Sequence, residues 1–204
     1  MNRIVFSLFM FVMFSLTLSI PALAQQQISG TQTGTLGPGS YLVTGSINVP
    51  VNQTLTILPG TEFLHNGYHT WTINGKLIAQ GTEIDSIRFV RQNPILSHRW
   101  GGIRFQSSAS LSTFEYCVID NCQSSGIYTI YANLTISNSR ISNCTAVADG
   151  AGIYAYSACV SIDNCYIVNN AATGGNDGGG IYLNNCTESV IRNCILAYNS
   201  STGT

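Results

Sequence analysis

From Tyr41 onward the chain alternates short apolar runs with turn residues, and no stretch keeps the 3.6-residue apolar period of a helix face. Tyr41-Leu42-Val43, Leu55-Thr56-Ile57, Trp71-Thr72-Ile73, Lys76-Leu77-Ile78 and Ile87-Arg88-Phe89 are interrupted by Pro59-Gly60, Asn66-Gly67, Asn74-Gly75 and Gln80-Gly81. Runs of this length bounded by such dipeptides predict strands and turns. The second half is more regular. Gly-Ile followed by Arg or Tyr recurs at Gly102-Ile103-Arg104, Gly126-Ile127-Tyr128, Gly152-Ile153-Tyr154 and Gly180-Ile181-Tyr182, in steps of 24, 26 and 28 residues. An apolar pair five apart trails each copy: Phe114 and Ile119, Ile136 and Ile141, Ile162 and Ile167, Ile191 and Leu196. An Asn closes each unit, at Asn121, Asn143, Asn169 and Asn199.

Repetition at this spacing marks a solenoid, in which each unit buries its apolar face against its neighbours. An antiparallel sandwich, joined by hairpins, has no reason to repeat identical residues at one-coil spacing. A parallel β-helix does, because each coil lies one strand spacing above the last. The pattern therefore predicts an all-β chain with three strands per coil. These are the Gly-Ile-Tyr strand, a strand ending at Ile136, Ile162 or Ile191, and one ending at the closing Asn. About seven coils fit after Gly30 at that spacing. Ile127, Ile153 and Ile181 should stack in one column, and Asn121, Asn143 and Asn169 should form an amide ladder in a turn. Glu115, Ser137, Asp163 and Arg192 should share another column. Asp163 beside Arg192 then makes a surface ion pair of little energetic weight.

Composition adjusts this picture at the N-terminus and in the choice of partners. Arg3, the apolar or hydroxyl stretch Ile4 to Ile20 and Ala22-Leu23-Ala24 before three glutamines have the order of a secretory signal peptide. The stretch is nearly long enough for an uncleaved anchor, but the small-x-small motif and the polar run favour cleavage. The expected organisation is a signal peptide over 1–24, a linker or N-terminal cap over 25–40 and a β-helix over 41–204. Charged residues make up only 8% of the chain and form no basic patch, which argues against a nucleic-acid partner. Apolar content of 45% argues equally against disorder.

The repeats hold all seven cysteines of a chain expected to be exported, where oxidation is permitted. Cys122 and Cys144, Cys159 and Cys186, and Cys165 and Cys194 lie about one coil apart, while Cys117 faces Ser139. Stacked Cβ atoms about 4.8 Å apart are slightly wide for a disulfide. The pairs are therefore either stacked thiols or small apolar fillers of a buried column. Zinc is not expected, since His65, His69 and His98 all lie outside the cysteine-rich part.

The runs Leu55-Thr56-Ile57-Leu58-Pro59-Gly60-Thr61, Ile73 to Thr82, Ile87-Arg88-Phe89 and Trp100-Gly101-Gly102-Ile103 resemble the entry coils of exported bacterial right-handed parallel β-helix proteins of the pectin-lyase-like fold. Gly150-Ala151-Gly152-Ile153 and Gly178-Gly179-Gly180-Ile181, alternating with Tyr166-x-x-Asn169, are similar to repeats of chlamydial polymorphic outer-membrane proteins. The resemblance implies a right-handed single-stranded parallel β-helix, exported and either secreted or associated with the outer membrane at the cell surface. It leaves the activity open, because this fold hosts lyases, hydrolases, epimerases and non-catalytic adhesins. Surface members usually continue into a barrel or sorting domain, so the chain is expected to be C-terminally truncated at Thr204. Any membrane contact is expected only through export or a missing C-terminal anchor.

The acids Glu115, Asp120, Asp149, Asp163, Asp177 and Glu188 are scattered over different columns. They match neither the calcium cluster and base of a lyase nor the paired carboxylates of a glycosidase. Asp149 and Asp177 share a turn before successive Gly-Ile strands and read as solvated. Gly174 to Gly180 is a single glycine-rich turn, not a tandem calcium repeat. No catalytic, cofactor or metal residue is therefore assigned. Tyr128, Tyr154 and Tyr182, with Arg104 one coil earlier, should point outward as a ladder if the isoleucines point in. Such a face suits a polysaccharide or a host cell-surface glycan, although aromatics also stack on strands for stability alone. His98 and Arg99 extend the face, and Trp100 reads as a packing residue. The expected function is a non-catalytic, adhesin-like or glycan-contacting scaffold. The alternative is a polysaccharide-active enzyme (lyase or glycoside hydrolase) with its site in missing coils or on the tyrosine face.

Overall fold

The structure, a computed structural model, describes residues 25–203, so the expected signal peptide lies outside the described residues. Every strand pair in it is parallel, and the strands form three walls of a solenoid. Wall I is a seven-stranded sheet that starts at Gly34–Leu36 and continues through Thr54–Ile57, Lys76–Gln80, Ser112–Glu115, Leu134–Ser137 and Val160–Asp163 to Val190–Arg192. Wall II runs from the first half of Gly39–Val49 through Thr61–His65, Ile87–Arg91, Cys117–Asp120, Arg140–Ser142 and Tyr166–Val168 to Ile195–Ala197. Wall III takes the second half of Gly39–Val49, then Trp71–Ile73, Ile103–Phe105, Ile127–Ile130, Ile153–Tyr156 and Ile181–Asn184.

Seven strands in wall I mean six complete turns between first and last, one fewer than the seven coils expected. The early coils are the reason: residues 92–102 form a long excursion between walls II and III, with a 3-10 turn at Leu96–His98, and use up chain that would otherwise add length. Gly34–Leu36, within the segment 25–40, is already a rung of wall I, and Gln26–Thr31 pairs alongside Gly39–Val49.

Each coil turns three corners, and from Tyr116 onward one residue of left-handed backbone sits at almost every one. Tyr116, Asn138, Asn164 and Asn193 join wall I to wall II at φ between 48° and 54°. Asn121, Asn143, Asn169 and Tyr198 leave wall II at 56° to 60°. Tyr131, Ser157 and Asn185 leave wall III at 48° to 58°. Asn dominates because its short polar side chain tolerates this region better than other non-glycine residues. The closing asparagines are thus corner residues, but the expected amide ladder lies one position further on. Asn170 donates to the Ile141 carbonyl (3.1 Å) and to Asn199 Oδ1 (3.1 Å), and Asn199 donates to the Ile167 carbonyl (2.7 Å). Asn143 instead donates to Asp120 Oδ1 at 2.7 Å. The register Val168 to Ala197 puts Tyr198, not Asn199, opposite Asn169.

The walls close on an apolar core. Ile103, Ile127, Ile153 and Ile181 stack in register as expected, and the first three are fully buried. Each contributes about 1.5–3 kcal/mol by leaving water. Bulky and small residues alternate along the axis where space demands it: Phe114 sits between Ala79 and Ile136. The early coils are packed by aromatics, with Phe63 5.1 Å from Phe89 and edge-on to Trp71 at 4.9 Å.

The glycine of the repeated motif has a steric cause. A Cβ on Gly152 would lie 2.3 Å from the Gly180 carbonyl oxygen, and that carbonyl accepts the Ile153 N–H at 2.9 Å. The backbone of the next coil therefore occupies the space a side chain would need, and the same approach recurs at Gly126 against the Gly152 carbonyl. Gly152→Ala should lose about 1–3 kcal/mol by overpacking. Ser161→Ala, on the outer side of wall I, should stay within about 0.5 kcal/mol; urea unfolding of both variants checks the contrast.

All seven cysteines are free thiols. Cys122 and Cys144 occupy equivalent positions in adjacent coils, as do Cys165 and Cys194, and the Cys117 N–H donates to the Ser139 hydroxyl oxygen at 3.0 Å. Burial pushes the Cys165 thiol up to about 11 and raises Cys122 well above its ordinary value, so these thiols behave as packing groups. The expected Cys159–Cys186 stack does not form. Tyr156 pairs with Asn184 and Ser161 with Val190, so the coil here is longer than the spacing of the two cysteines; Cys159 donates to the Glu188 carbonyl (3.3 Å) and Cys186 to the Ala155 carbonyl (3.4 Å).

His65 is a buried neutral ring. It lies 4.0 Å from Trp100 in a parallel stack, its Nδ1 donates to the Val90 carbonyl at 2.9 Å, and its Nε2 accepts the Trp71 indole N–H at 3.0 Å. Desolvation lowers its pKa from 6.5 to about 3, with the Val90 bond opposing the shift. In the unfolded chain the imidazole takes up a proton that the folded core refuses, so stability declines as pH falls from about 6.5 toward 3. At about 1.36 kcal/mol per pKa unit this one group accounts for roughly 4–5 kcal/mol across the window. Acidification from pH 7 to 4 should lower the melting temperature, and His65→Gln should flatten that slope. Equal slopes in both proteins would remove His65 as the source.

Candidate functional site

The row expected to point outward from wall III does so. Arg104, Tyr128, Tyr154 and Tyr182 occupy one register column, opposite in direction to the buried isoleucines beside them. The Tyr128 and Tyr154 rings are 4.6 Å apart and 9° from parallel; Tyr154 and Tyr182 are 5.5 Å apart at 11°. The Arg104 guanidinium lies 4.9 Å over the Tyr128 ring, a cation–π contact. Burial between its neighbours raises the Tyr154 phenol above its ordinary value, with Tyr128 and Tyr182 adding to the shift.

This stacking dictates what the ladder offers. The ring faces are spent on one another along the rod axis, so edges and phenol oxygens meet solvent. Among the described residues Tyr182 accepts a long hydrogen bond from Asn184 (3.5 Å), whereas the phenol oxygens of Tyr128 and Tyr154 have no protein partner. The face is therefore a row of evenly spaced hydroxyls carried on a rigid aromatic rail.

At its Arg104 end the ladder runs into a cleft of about 390 Å³ lined by Tyr68, Arg99, Arg104, Gln123, Ser124, Thr145 and residues 146–148. A second recess, bounded by Leu96, Ser97, Arg99 and Gln123, adjoins it. Arg99, brought here by the 92–102 excursion, uses one nitrogen to tie successive coils: Nη2 donates to the Cys122 carbonyl (2.6 Å), the Asn143 carbonyl (2.9 Å) and Thr145 Oγ1 (2.9 Å). Arg104 Nη2 donates to Ser124 Oγ at 3.0 Å. Trp100, by contrast, is wholly buried, with its indole N–H on the Asp120 carbonyl at 2.9 Å, as a packing residue should be. The sequence singled out Arg99 and Arg104 but not Tyr68, Gln123, Ser124 or Thr145. Those four come from three separate corners, and no spacing rule links them.

Several of the acids are occupied individually. Glu62 pairs with Arg88 at 3.2 Å and Asp163 with Arg192 at 3.1 Å. Asp120 accepts from Ser142 and Asn143, both at 2.7 Å. Asp149 and Asp177 do meet at one corner, but there the Asp149 carboxylate accepts the Asp177 backbone N–H at 2.8 Å, which is a turn contact.

A family model described as right handed beta helix region matches residues 41–176 and again 89–204. The chain belongs to the right-handed β-helix family. Two overlapping matches are what a stack of equivalent coils produces, since a family pattern can be laid on the rod in more than one register. No curated protein and no solved structure matches the chain. The β-helix scaffold serves both surface proteins and polysaccharide enzymes, so function has to be argued from the site.

The ladder also stabilises this β-helix. Tyr154 has a ring on both sides and Tyr182 is stacked on Tyr154 alone. With each aromatic pair adding about 0.5–1.5 kcal/mol, Tyr154→Ala should cost roughly 1–3 kcal/mol and Tyr182→Ala about half that. Tyr154→Phe should be near neutral, and denaturant midpoints of the three variants read the order.

Proposed function

We propose that this β-helix is an exported scaffold, secreted or displayed at a bacterial surface, whose wall III face contacts glycans and whose described coils carry no catalytic centre. The observation that carries the proposal is the in-register row Arg104–Tyr128–Tyr154–Tyr182, with phenol oxygens directed at solvent and a cation at one end. A saccharide chain laid along the rod meets donors and acceptors at each strand spacing, while the ring edges supply apolar contact to its C–H faces. Rigidity favours binding further, because the stack has already lost the rotamer freedom that a free tyrosine would give up. The resemblance of the entry coils to exported bacterial β-helices supports the surface assignment.

A binding screen of the protein against neutral and acidic glycans tests this. Tyr154→Phe keeps the stack and removes one hydroxyl, and Tyr182→Ala shortens the row. Both should weaken a glycan that binds the wild type by about tenfold, the worth of one good polar contact in a bound site. Binding unchanged in both variants would exclude the ladder as the contact face.

A further inference from the structure

The cleft at the Arg104 end has a charge imbalance that packing does not explain. Among the described residues the two ion pairs engage Arg88 and Arg192, so neither Arg99 nor Arg104 has a carboxylate partner, and both line the same cleft. Among the described residues no Asp or Glu lines it. The nearby acids are held elsewhere, Asp120 by Ser142 and Asn143 and Asp149 by the Asp177 N–H. Arg99 is held by three bonds through Nη2 alone, while its Nε is buried and without a partner.

The rest of the lining fits a sugar. Gln123, Ser124 and Thr145 bring amide and hydroxyl groups. Tyr68 is 55% exposed and its ring end lies against Gly101, where a Cβ would come within 3.3 Å of Cζ, so the ring is seated on bare backbone with the rest of it open. Unlike the ladder rings, Tyr68 has no aromatic stacking partner among the described residues, and its face is free for a pyranose. The volume of about 390 Å³ lies within the range of small-ligand sites. Arg104 belongs to both features, lining the cleft and covering the first ring of the ladder.

We infer that the Arg99–Arg104 cleft binds the oxyanion of a charged sugar, a carboxylate or a sulfate ester, and makes this face selective for acidic saccharides. The inference rests on the glycan-contacting reading above and adds the class of glycan. Guanidinium groups suit both oxyanions through paired N–H donors. The charged residue of the saccharide sits between the two arginines with its ring on Tyr68, and the following residues run along the tyrosine hydroxyls.

Titration calorimetry on the full chain tests it with four probes: a uronate trisaccharide, a sulfated hexose trisaccharide, the neutral hexose trisaccharide and free sulfate. At least one charged trisaccharide should bind about tenfold or more tightly than the neutral one, and its affinity should fall with added salt. Preference for the uronate or the sulfated probe would identify the oxyanion. Arg104→Gln should abolish that preference, bringing the charged probe to within about twofold of the neutral one, and Tyr68→Ala should weaken all three trisaccharides. Arg99→Gln is expected to behave like Arg104→Gln if it folds. Since Arg99 also ties successive coils, the Arg104 variant decides the matter where it does not. Equal affinity for charged and neutral probes, or a charge preference surviving Arg104→Gln, overturns the inference and leaves the glycan-contacting reading standing. Free sulfate binding as tightly as the sulfated trisaccharide overturns the sugar part. No binding of any trisaccharide overturns both readings together.

Discussion

Every feature of this chain depends on the coil-to-coil hydrogen bond between parallel strands, repeated at the same height on three walls. Ile103 N–H on the Gly126 carbonyl, Ile127 on Gly152 and Ile153 on Gly180, each at 2.9–3.0 Å, hold successive Gly-Ile strands in one register. A slip by one residue would turn each inward isoleucine to solvent and bury its tyrosine neighbour. Backbone satisfaction and side-chain burial therefore select the same arrangement, and the corners need only reverse the chain without disturbing it. One left-handed residue per corner does this, and the column of Asn138, Asn164 and Asn193 shows the same solution reached in successive coils.

The same stacking that builds the core creates the outer face. Because the strands are parallel and in register, equal residues lie above one another, so three tyrosines become one continuous stack and an arginine becomes its terminal cation. In an antiparallel sheet those side chains would be dispersed. The cost is that the ring faces of the ladder are no longer open to ligands, whereas Tyr68, beside the two arginines, has no stacking partner among the described residues. In the proposed reading, rail and cleft divide the work: spaced hydroxyls along the rod and charge recognition at one end.

Irregular segments supply the cleft's lining, as loops on rigid scaffolds generally supply surface sites. The 92–102 excursion costs the solenoid part of a coil, but it delivers Trp100 into the core against His65 and Arg99 onto the surface across successive corners. The buried His65 sits under this junction. Its ring stacks on Trp100 at 4.0 Å, so the core end of the excursion is packed against an aromatic pair.

The walls, the inward isoleucine column, the outward Arg104–Tyr182 row, the Asp163–Arg192 pair and two of the three cysteine stacks were legible from spacing alone. Each depends on strand alternation and a repeat length that the chain states directly. What failed were positions where a corner gains or loses a residue. The amide ladder falls at Asn170 and Asn199, not at Asn121, Asn143 and Asn169, and Cys186 misses Cys159. A corner's length does not reveal how its residues divide between turn and strand, and register there follows from packing against the coil below. The cleft was beyond the sequence for the same reason. Tyr68, Arg99, Gln123 and Thr145 come from different coils and meet only because the solenoid winds their corners into one edge.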